Sequence, residues 1–282
     1  MAPGPIPCDC LGDRRDTWMG TISFNELSLH AFAVHAMTAG HQSSLDSRRR
    51  FEGSTVVVTG AASGLGAACV ERFIDEGAVV HSVDLAPSDA AHQTHLMDVT
   101  DEAAWGELAS RVGPQGVDVV VTAAGIIHIG NVSNTSADDL RRVLNVNLVG
   151  TFLALKHLAP AMSAGSSAIL IASTSGLRGT PNTTAYSASK WAVRGLARVA
   201  AVELAELGVR VVCVCPGASA TPMAWRAYRD DDDLVAHWGS RLLVPRMAWP
   251  EEIAGVVAFA ASSEAGYITG TDIVIDGGIG AR

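Results

Sequence analysis

The chain has 282 residues, 48% hydrophobic and only 17% charged, which is the composition of a folded globular protein with a sizeable core rather than a disordered one. A net charge of −9 argues against a broad nucleic-acid-binding surface, which needs clustered Lys and Arg. No apolar stretch reaches the roughly 18 residues of a membrane span, and Leu29 to Met37, broken by His30 and His35, makes a poor signal sequence.

Residues 1–50 carry Pro3, Pro5 and Pro7 and no sustained periodicity, and are read as an N-terminal extension outside the fold. Met19 and Met37 are further candidates for the start of the chain. Arg48-Arg49-Arg50 reads as a solvated lead-in. Residues 51–282 are then the folded domain. Cys8, Cys10, Cys69, Cys213 and Cys215 form no disulfide framework, and their odd number suits a reducing, cytoplasmic compartment. Cys213 and Cys215 share one strand face, which suits packing, and no metal site is expected.

From Ser54 the pattern changes. Thr55-Val56-Val57-Val58-Thr59 is a β-branched run expected of a parallel strand buried on both faces. A glycine turn, a helix from Gly64 to about Glu76 closed by Gly77, and a strand Val79–Val83 follow. Further strands are expected at 117–121, 168–172, 209–214 and 272–275. Helices are expected near 101–112, 137–163, 184–207 and 250–262. This alternation predicts one α/β domain, a doubly wound, Rossmann-type parallel sheet with helices on both faces.

Thr59-Gly60-Ala61-Ala62-Ser63-Gly64-Leu65-Gly66 joins the first strand to the first helix. Free backbone N–H groups and the positive helix end meet there, a geometry that accepts a pyrophosphate. The spacing is G-x-x-x-G-x-G rather than G-x-G-x-x-G, so the turn is informative only in its strand–helix context. Asp84 closes the second strand, where a carboxylate accepts hydrogen bonds from the adenosine ribose and repels a 2′-phosphate. With no Arg or Lys in the turn or just after Asp84, NAD is expected over NADP. The competing reading is a solvated strand-end carboxylate. Asp98 and Val99 would either contact adenine or cap the next helix.

Tyr186 and Lys190 are four residues apart on a helical stretch and share one face. A neighbouring ammonium favours a phenolate, so such a tyrosine can serve as general base or acid. Ser173 follows a strand and should emerge at the carboxyl edge, where its hydroxyl would donate to a substrate oxygen. Tyr-x-x-x-Lys by itself is commonly just an amphipathic helix face.

From about Phe51 to Gly280 the chain resembles the short-chain dehydrogenase/reductase family. TGAASGLG (59–66), DV (98–99), AAG (123–125) and NVNLVG (145–150) are followed in the family's order by Ser173, YSASK (186–190), PG (216–217), Thr221 and DGG (276–278). The resemblance implies a tetrad. In it Asn147 holds a water for proton relay, Ser173 polarises the substrate oxygen, Tyr186 is the acid/base, and Lys190 tunes Tyr186 and binds the nicotinamide ribose. It implies cofactor contacts from Gly60, Ser63, Gly64, Leu65, Gly66, Asp84, Asp98, Val99, Ala124, Gly125, Pro216, Gly217 and Thr221. It also implies a homotetramer or homodimer built on the long helices. Two departures stand out: Thr122 replaces the family's Asn before Ala-Ala-Gly, and Asp84 to Asp98 has room for at most a stub of the usual helix.

Met223, Trp225, Tyr228 and Trp238, between Thr221 and Pro245, suit a lid over a flat apolar substrate, or else an oligomer contact. The run Asp230 to Asp233 reads as a solvated face. The Tyr186–Glu206 stretch and PGASATPM resemble bacterial hydroxysteroid dehydrogenases, and the favoured expectation is a secondary alcohol/ketone oxidoreductase on a hydroxysteroid-like substrate. AAGI, DIVIDGG and the short Asp84–Asp98 stretch resemble dihydrodiol dehydrogenases of the 2,3-dihydro-2,3-dihydroxybenzoate type, with Arg178, Arg226 and Arg241 as carboxylate partners. An NAD(H)-sensing regulator is the non-enzyme alternative, disfavoured because the whole acid/base set is present.

Overall fold

The computed structural model describes residues 49–88, 90–227, 238 and 241–281. The extension, apart from Arg49 and Arg50, therefore lies outside the described residues, as do Tyr228, Asp230 to Asp233, Cys8 and Cys10.

Seven strands form one parallel sheet: β1 (Thr55–Thr59), β2 (Val79–Asp84), β3 (Gln93–Leu96), β4 (Val119–Thr122), β5 (Ser167–Ile171), β6 (Arg210–Pro216) and β7 (Asp272–Ile275). Their order is β3-β2-β1-β4-β5-β6-β7, and every pairing is parallel. The chain reverses its direction of winding between β1 and β4, and in such sheets ligands bind there, beyond the carboxyl ends.

Both faces of the sheet are covered, which is why its central strands read as continuous apolar runs. On one face α1 (Gly64–Asp75) and α6 (Pro250–Ala261) pack over Val56, Val58, Val121, Ile169 and Val212. On the other, α2 (Glu102–Val112), α4 (Gly150–Leu158) and α5 (Thr184–Glu203) cover Val57, Val120, Leu170 and Val211. Cys213 and Cys215 are fully buried in that second layer, as expected of packing residues. Trp105 is fully buried too, and its Nε1–H donates to the Val99 carbonyl at 2.8 Å, pinning the loop after β3 to α2.

Four expectations are corrected. Residues 93–96, assigned no strand above, form the edge strand β3; its burial is slight, so the sequence shows no apolar run. The stretch expected as one helix over 137–163 is α3 (Ala137–Leu144), a π-helical turn (Asn145–Val149), α4, and a 3-10 turn (Ala159–Ala161) with proline in its first positions. Asp98 does not cap α2. Its Oδ1 accepts from the backbone N–H and hydroxyl of Thr100, both at 2.8 Å, while Asp101 supplies the cap. Arg50 is no solvated lead-in, because its guanidinium meets the buried Glu76 carboxylate through Nε at 2.5 Å and Nη2 at 2.7 Å.

Thr122 is buried, and its hydroxyl has no hydrogen-bond partner among the described residues. An unpaired buried hydroxyl carries its desolvation cost with nothing returned. Thr122→Val keeps the shape and removes that group, and should raise stability by about 1 kcal/mol. The check is a higher urea midpoint at an unchanged slope; a lower midpoint would mean that the hydroxyl has a partner, such as a bound water.

Candidate active site

The carboxyl ends of β1, β2, β4, β5 and β6 open into one cleft of about 610 Å³. Every residue assigned above to cofactor or catalysis lines it, except Asn147, which is set back behind Gly125.

At one end is the glycine turn. Gly60 has φ +68°, and a Cβ there would lie 2.7 Å from the Ala124 backbone nitrogen, so the close approach of β1 and β4 requires glycine. Gly66 is tighter still: its Cβ would fall 2.0 Å from the Gly60 carbonyl oxygen, which lets α1 start directly against the turn. Ser63 caps α1 in extended conformation without a side-chain hydrogen bond, and the first turn holds no acidic residue. The helix N-terminus therefore has no side-chain cap and no acidic residue in its own first turn, and it faces the cleft. Asp84 lies beside it, with Oδ2 accepting from the Ala62 N–H at 3.0 Å and Oδ1 from the Ala86 N–H at 3.2 Å. These bonds hold the carboxylate at the rim rather than free in solvent. Asp98 is exposed and Val99 buried at the same end. Thr221 stands across from Gly64, 3.4 Å from where a Cβ would be.

At the other end, α5 carries Tyr186 and Lys190 on one face, with the Lys190 Nζ 5.7 Å from the centre of the Tyr186 ring. Lys190 is 5% exposed, and its Nζ donates to the Ile171 carbonyl at the end of β5 at 2.8 Å. Burial pushes its ammonium down from 10.5 to about 8. Ser173 follows two residues after β5, and its Oγ accepts from the Ser175 N–H at 3.1 Å. The Asn147 amide is used structurally: Nδ2 donates to the Ile126 carbonyl at 3.0 Å and to Ser189 Oγ at 2.9 Å, and Oδ1 accepts from the Ile126 N–H at 2.8 Å. Ser189 in turn donates to the Tyr186 carbonyl at 2.7 Å. Ser189, unremarked inside YSASK, thus links two of the four expected catalytic positions. Both amide hydrogens of Asn147 being taken, a water could meet it at its backbone carbonyl, which already accepts from Thr151 Oγ1 at 2.8 Å.

The cleft is also lined by Ile126, Ile127, Thr180, Met223, Trp238 and Met247, and by Arg226. Of the segment expected to cover the substrate, Met223 and Trp238 line the cleft and Trp225 does not. Ile127, Thr180 and Met247 carried no motif; Ile127 and Thr180 at least stand near Gly125 and Ser173 in the sequence, whereas Met247, past the Thr221–Pro245 segment, had no such signal. Arg178 and Arg241 do not line the cleft.

The family described as enoyl-(acyl carrier protein) reductase matches residues 60–280. The 3-alpha-(or 20-beta)-hydroxysteroid dehydrogenase of Mycobacterium tuberculosis is 35% identical over 243 residues, spanning 81% of this chain and 90% of that protein. Among solved structures, the ligand-free aldohexose dehydrogenase of Thermoplasma acidophilum superposes with a TM-score of 0.78 at 34% identity, over 82% of this chain and 95% of that one. A 4-hydroxyisoleucine dehydrogenase complexed with NADH gives a TM-score of 0.74 at 27% identity, over 82% of this chain and all of that one.

The Lys190 shift has a consequence for stability. Its folded value, about 8, lies below the ordinary 10.5, so between those pH values the unfolded chain holds a proton the native chain has released. Stability from this group is therefore present above pH 10.5 and lost as pH falls through about 8. Measured against Lys190→Met by urea unfolding, the wild-type protein should gain ~3 kcal/mol across that window. A difference that stays flat would mean the buried ammonium is stabilised where it lies.

Proposed function

The chain belongs to the short-chain dehydrogenase/reductase family, and on that premise we propose that it interconverts a secondary alcohol and a ketone with NAD, acting on an apolar, hydroxysteroid-like substrate. Oxidoreduction at a CH–OH carbon is common to the relatives it resembles. The observation that carries the reading is the buried Lys190 ammonium beside the Tyr186 ring, in the same cleft as an uncapped helix N-terminus.

NAD fits the residues present. The free N–H groups at the start of α1 would take its pyrophosphate, with Gly60, Ser63, Gly64, Leu65 and Gly66 forming the turn. Asp84 would accept from the adenosine ribose hydroxyls, and Asp98 and Val99 would border the adenine. Ala124, Gly125, Pro216, Gly217 and Thr221 would border the nicotinamide half. When bound, NAD supplies the hydride acceptor.

The chain's own residues handle the proton. Ser173 Oγ donates to the substrate oxygen, where negative charge grows as its proton leaves. Tyr186 takes that proton during oxidation and returns it during reduction. The Lys190 ammonium favours the phenolate form that does so. Asn147, fixed by Ile126 and Ser189, holds a relay water at its backbone carbonyl. Met223, Trp238 and Met247 provide the apolar wall for the substrate.

A homotetramer or homodimer forms part of the proposal. Phe152 on α4 is 46% exposed, and Trp191, Val199 and Val202 on α5 are 49%, 53% and 76% exposed, which supports a contact between copies on these helices. The compartment proposed is the cytoplasm, whose reducing conditions suit the free, buried Cys69, Cys213 and Cys215.

A second reading, a dihydrodiol dehydrogenase acting on an acidic ring, draws on Arg226 in the cleft lining. Offering NAD with a hydroxysteroid mixture and, separately, a cyclic dihydrodiol acid separates the two; NADH formation with the steroid alone is expected, and with the dihydrodiol alone would move the assignment to Arg226.

Two variants test the roles. Tyr186→Phe should lower kcat by at least about 100-fold while NADH still binds; an NAD(H)-sensing protein would lose no output. Asp84→Ser should bring NADPH affinity up by about tenfold relative to NADH, the share of a screened charge repulsion. Equal binding of both cofactors by the wild type would remove Asp84 from this role.

A further inference from the structure

Arg194 lies one helical turn beyond Lys190 on α5, and its side chain is only 14% exposed. No proton-transfer step described above uses it. Its Nη1 donates to the carbonyl of Gly176, the last residue of the 3-10 turn Thr174–Gly176 that Ser173 caps. Its Nε and Nη2 donate to Oδ2 of Asp272, the first residue of β7, at 3.1 and 2.6 Å. Arg198, a further turn along, donates to both oxygens of the same carboxylate at 3.2 and 2.6 Å. Burial pushes the Asp272 carboxyl up, but the hydrogen bonds from Arg194 and Arg198 outweigh it and hold the group below its ordinary range. Two guanidiniums therefore face one fixed anion.

The Ser173 turn is also anchored to β6, through the Ala172 N–H on the Val214 carbonyl at 2.8 Å and a backbone hydrogen bond from Ser173 to the Cys215 sulfur, so Arg194 acts on its far end, at Gly176. The turn rests on α5 so closely that a Cβ on Gly176 would lie 2.8 Å from the Lys190 carbonyl oxygen. Within the turn, Gly176 N–H donates to the Ser173 carbonyl at 2.9 Å and Leu177 N–H to the Thr174 carbonyl at 3.0 Å. A guanidinium is a planar fork of five donors and reaches a carbonyl and a carboxylate at once, which an ammonium cannot do with fixed geometry.

We propose that Arg194 is a positioning residue, which, held by Asp272, sets where Ser173 stands relative to Tyr186 and Lys190. The last strand of the sheet thereby takes part in the geometry of the site. The kinetic readout rests on the dehydrogenase reading given above.

The test compares Arg194→Gln, Arg194→Lys and Asp272→Asn, each in wild-type and Ser173→Ala backgrounds, well below the melting temperature. Arg194→Gln should lower kcat about 10- to 100-fold, the cost of a reacting group displaced by about 1 Å, with NADH affinity unchanged. Arg194→Lys should recover little of that loss, and Asp272→Asn should give a smaller one. In the Ser173→Ala background the same changes should cost almost nothing further, because the group being positioned is gone. Unchanged kcat in Arg194→Gln, or an equal loss with and without Ser173, would overturn the proposal. Should Arg194→Gln fail to fold, Arg194→Lys and Asp272→Asn carry the same comparison. Amide exchange at Gly176 and Leu177 is read in parallel and should quicken in the variants. If the wild-type protein turns over no alcohol, the dehydrogenase reading fails, and the exchange comparison still decides the brace: unchanged exchange sinks it.

Discussion

Every strand pairing in this sheet is parallel, and the rest of the molecule follows from that constraint. Parallel neighbours need crossovers, the crossovers are helices, and helices on both faces bury the central strands completely. All the carboxyl ends then open on one side. Chemistry dispersed along the chain, from Gly60 to Thr221, converges there without any segment having to leave its place in the fold. The joint between scaffold and chemistry is small. Lys190 Nζ on the Ile171 carbonyl ties the helix bearing the phenol to the strand that presents Ser173.

The cleft is electrostatically divided. At one end the start of α1 offers partial positive charge with no acidic residue in its first turn, next to a carboxylate held at the rim by Ala62 and Ala86. At the other end the ammonium is taken out of water by the same packing that positions it, so it is a poorly solvated charge that gains from any anion formed nearby. Preorganised charge of this kind needs no rearrangement at the moment of reaction. Keeping it preorganised requires support, and Asn147, Ser189 and Ile126 supply it through four short hydrogen bonds behind the cleft.

Much of this was legible in the sequence, for physical reasons that differ by element. The strands β1, β4 and β5 announce themselves because burial on both faces demands runs such as Val56-Val57-Val58. Edge strand β3 is silent because Gln93-Thr94-His95 need satisfy only one neighbour and the solvent. The π-helical turn at Asn145–Val149 is invisible because helical periodicity does not register one extra residue in a turn. Site residues inside motifs could be named by position. Ser189 and Arg194 could not be distinguished from ordinary helix residues, since what sets them apart is a partner: Asn147 in one case, and in the other Asp272, 78 positions away in the chain. The Thr122 hydroxyl is a similar case, because an unmatched group becomes apparent only when its surroundings are known.

The contact between Arg50 and Glu76 bears on where this protein can be cut. Glu76 is 2% exposed at the end of α1, and Arg72 from the same helix and Arg50 from before β1 share its carboxylate. A protease or an expression boundary that removed the chain through Arg50 would leave the Glu76 carboxylate paired with Arg72 but without the two hydrogen bonds Arg50 gives it, a loss of about 1–3 kcal/mol. The trimmed edge of the domain is thus set by those two bonds at Arg50, not by Phe51, where the apolar pattern begins.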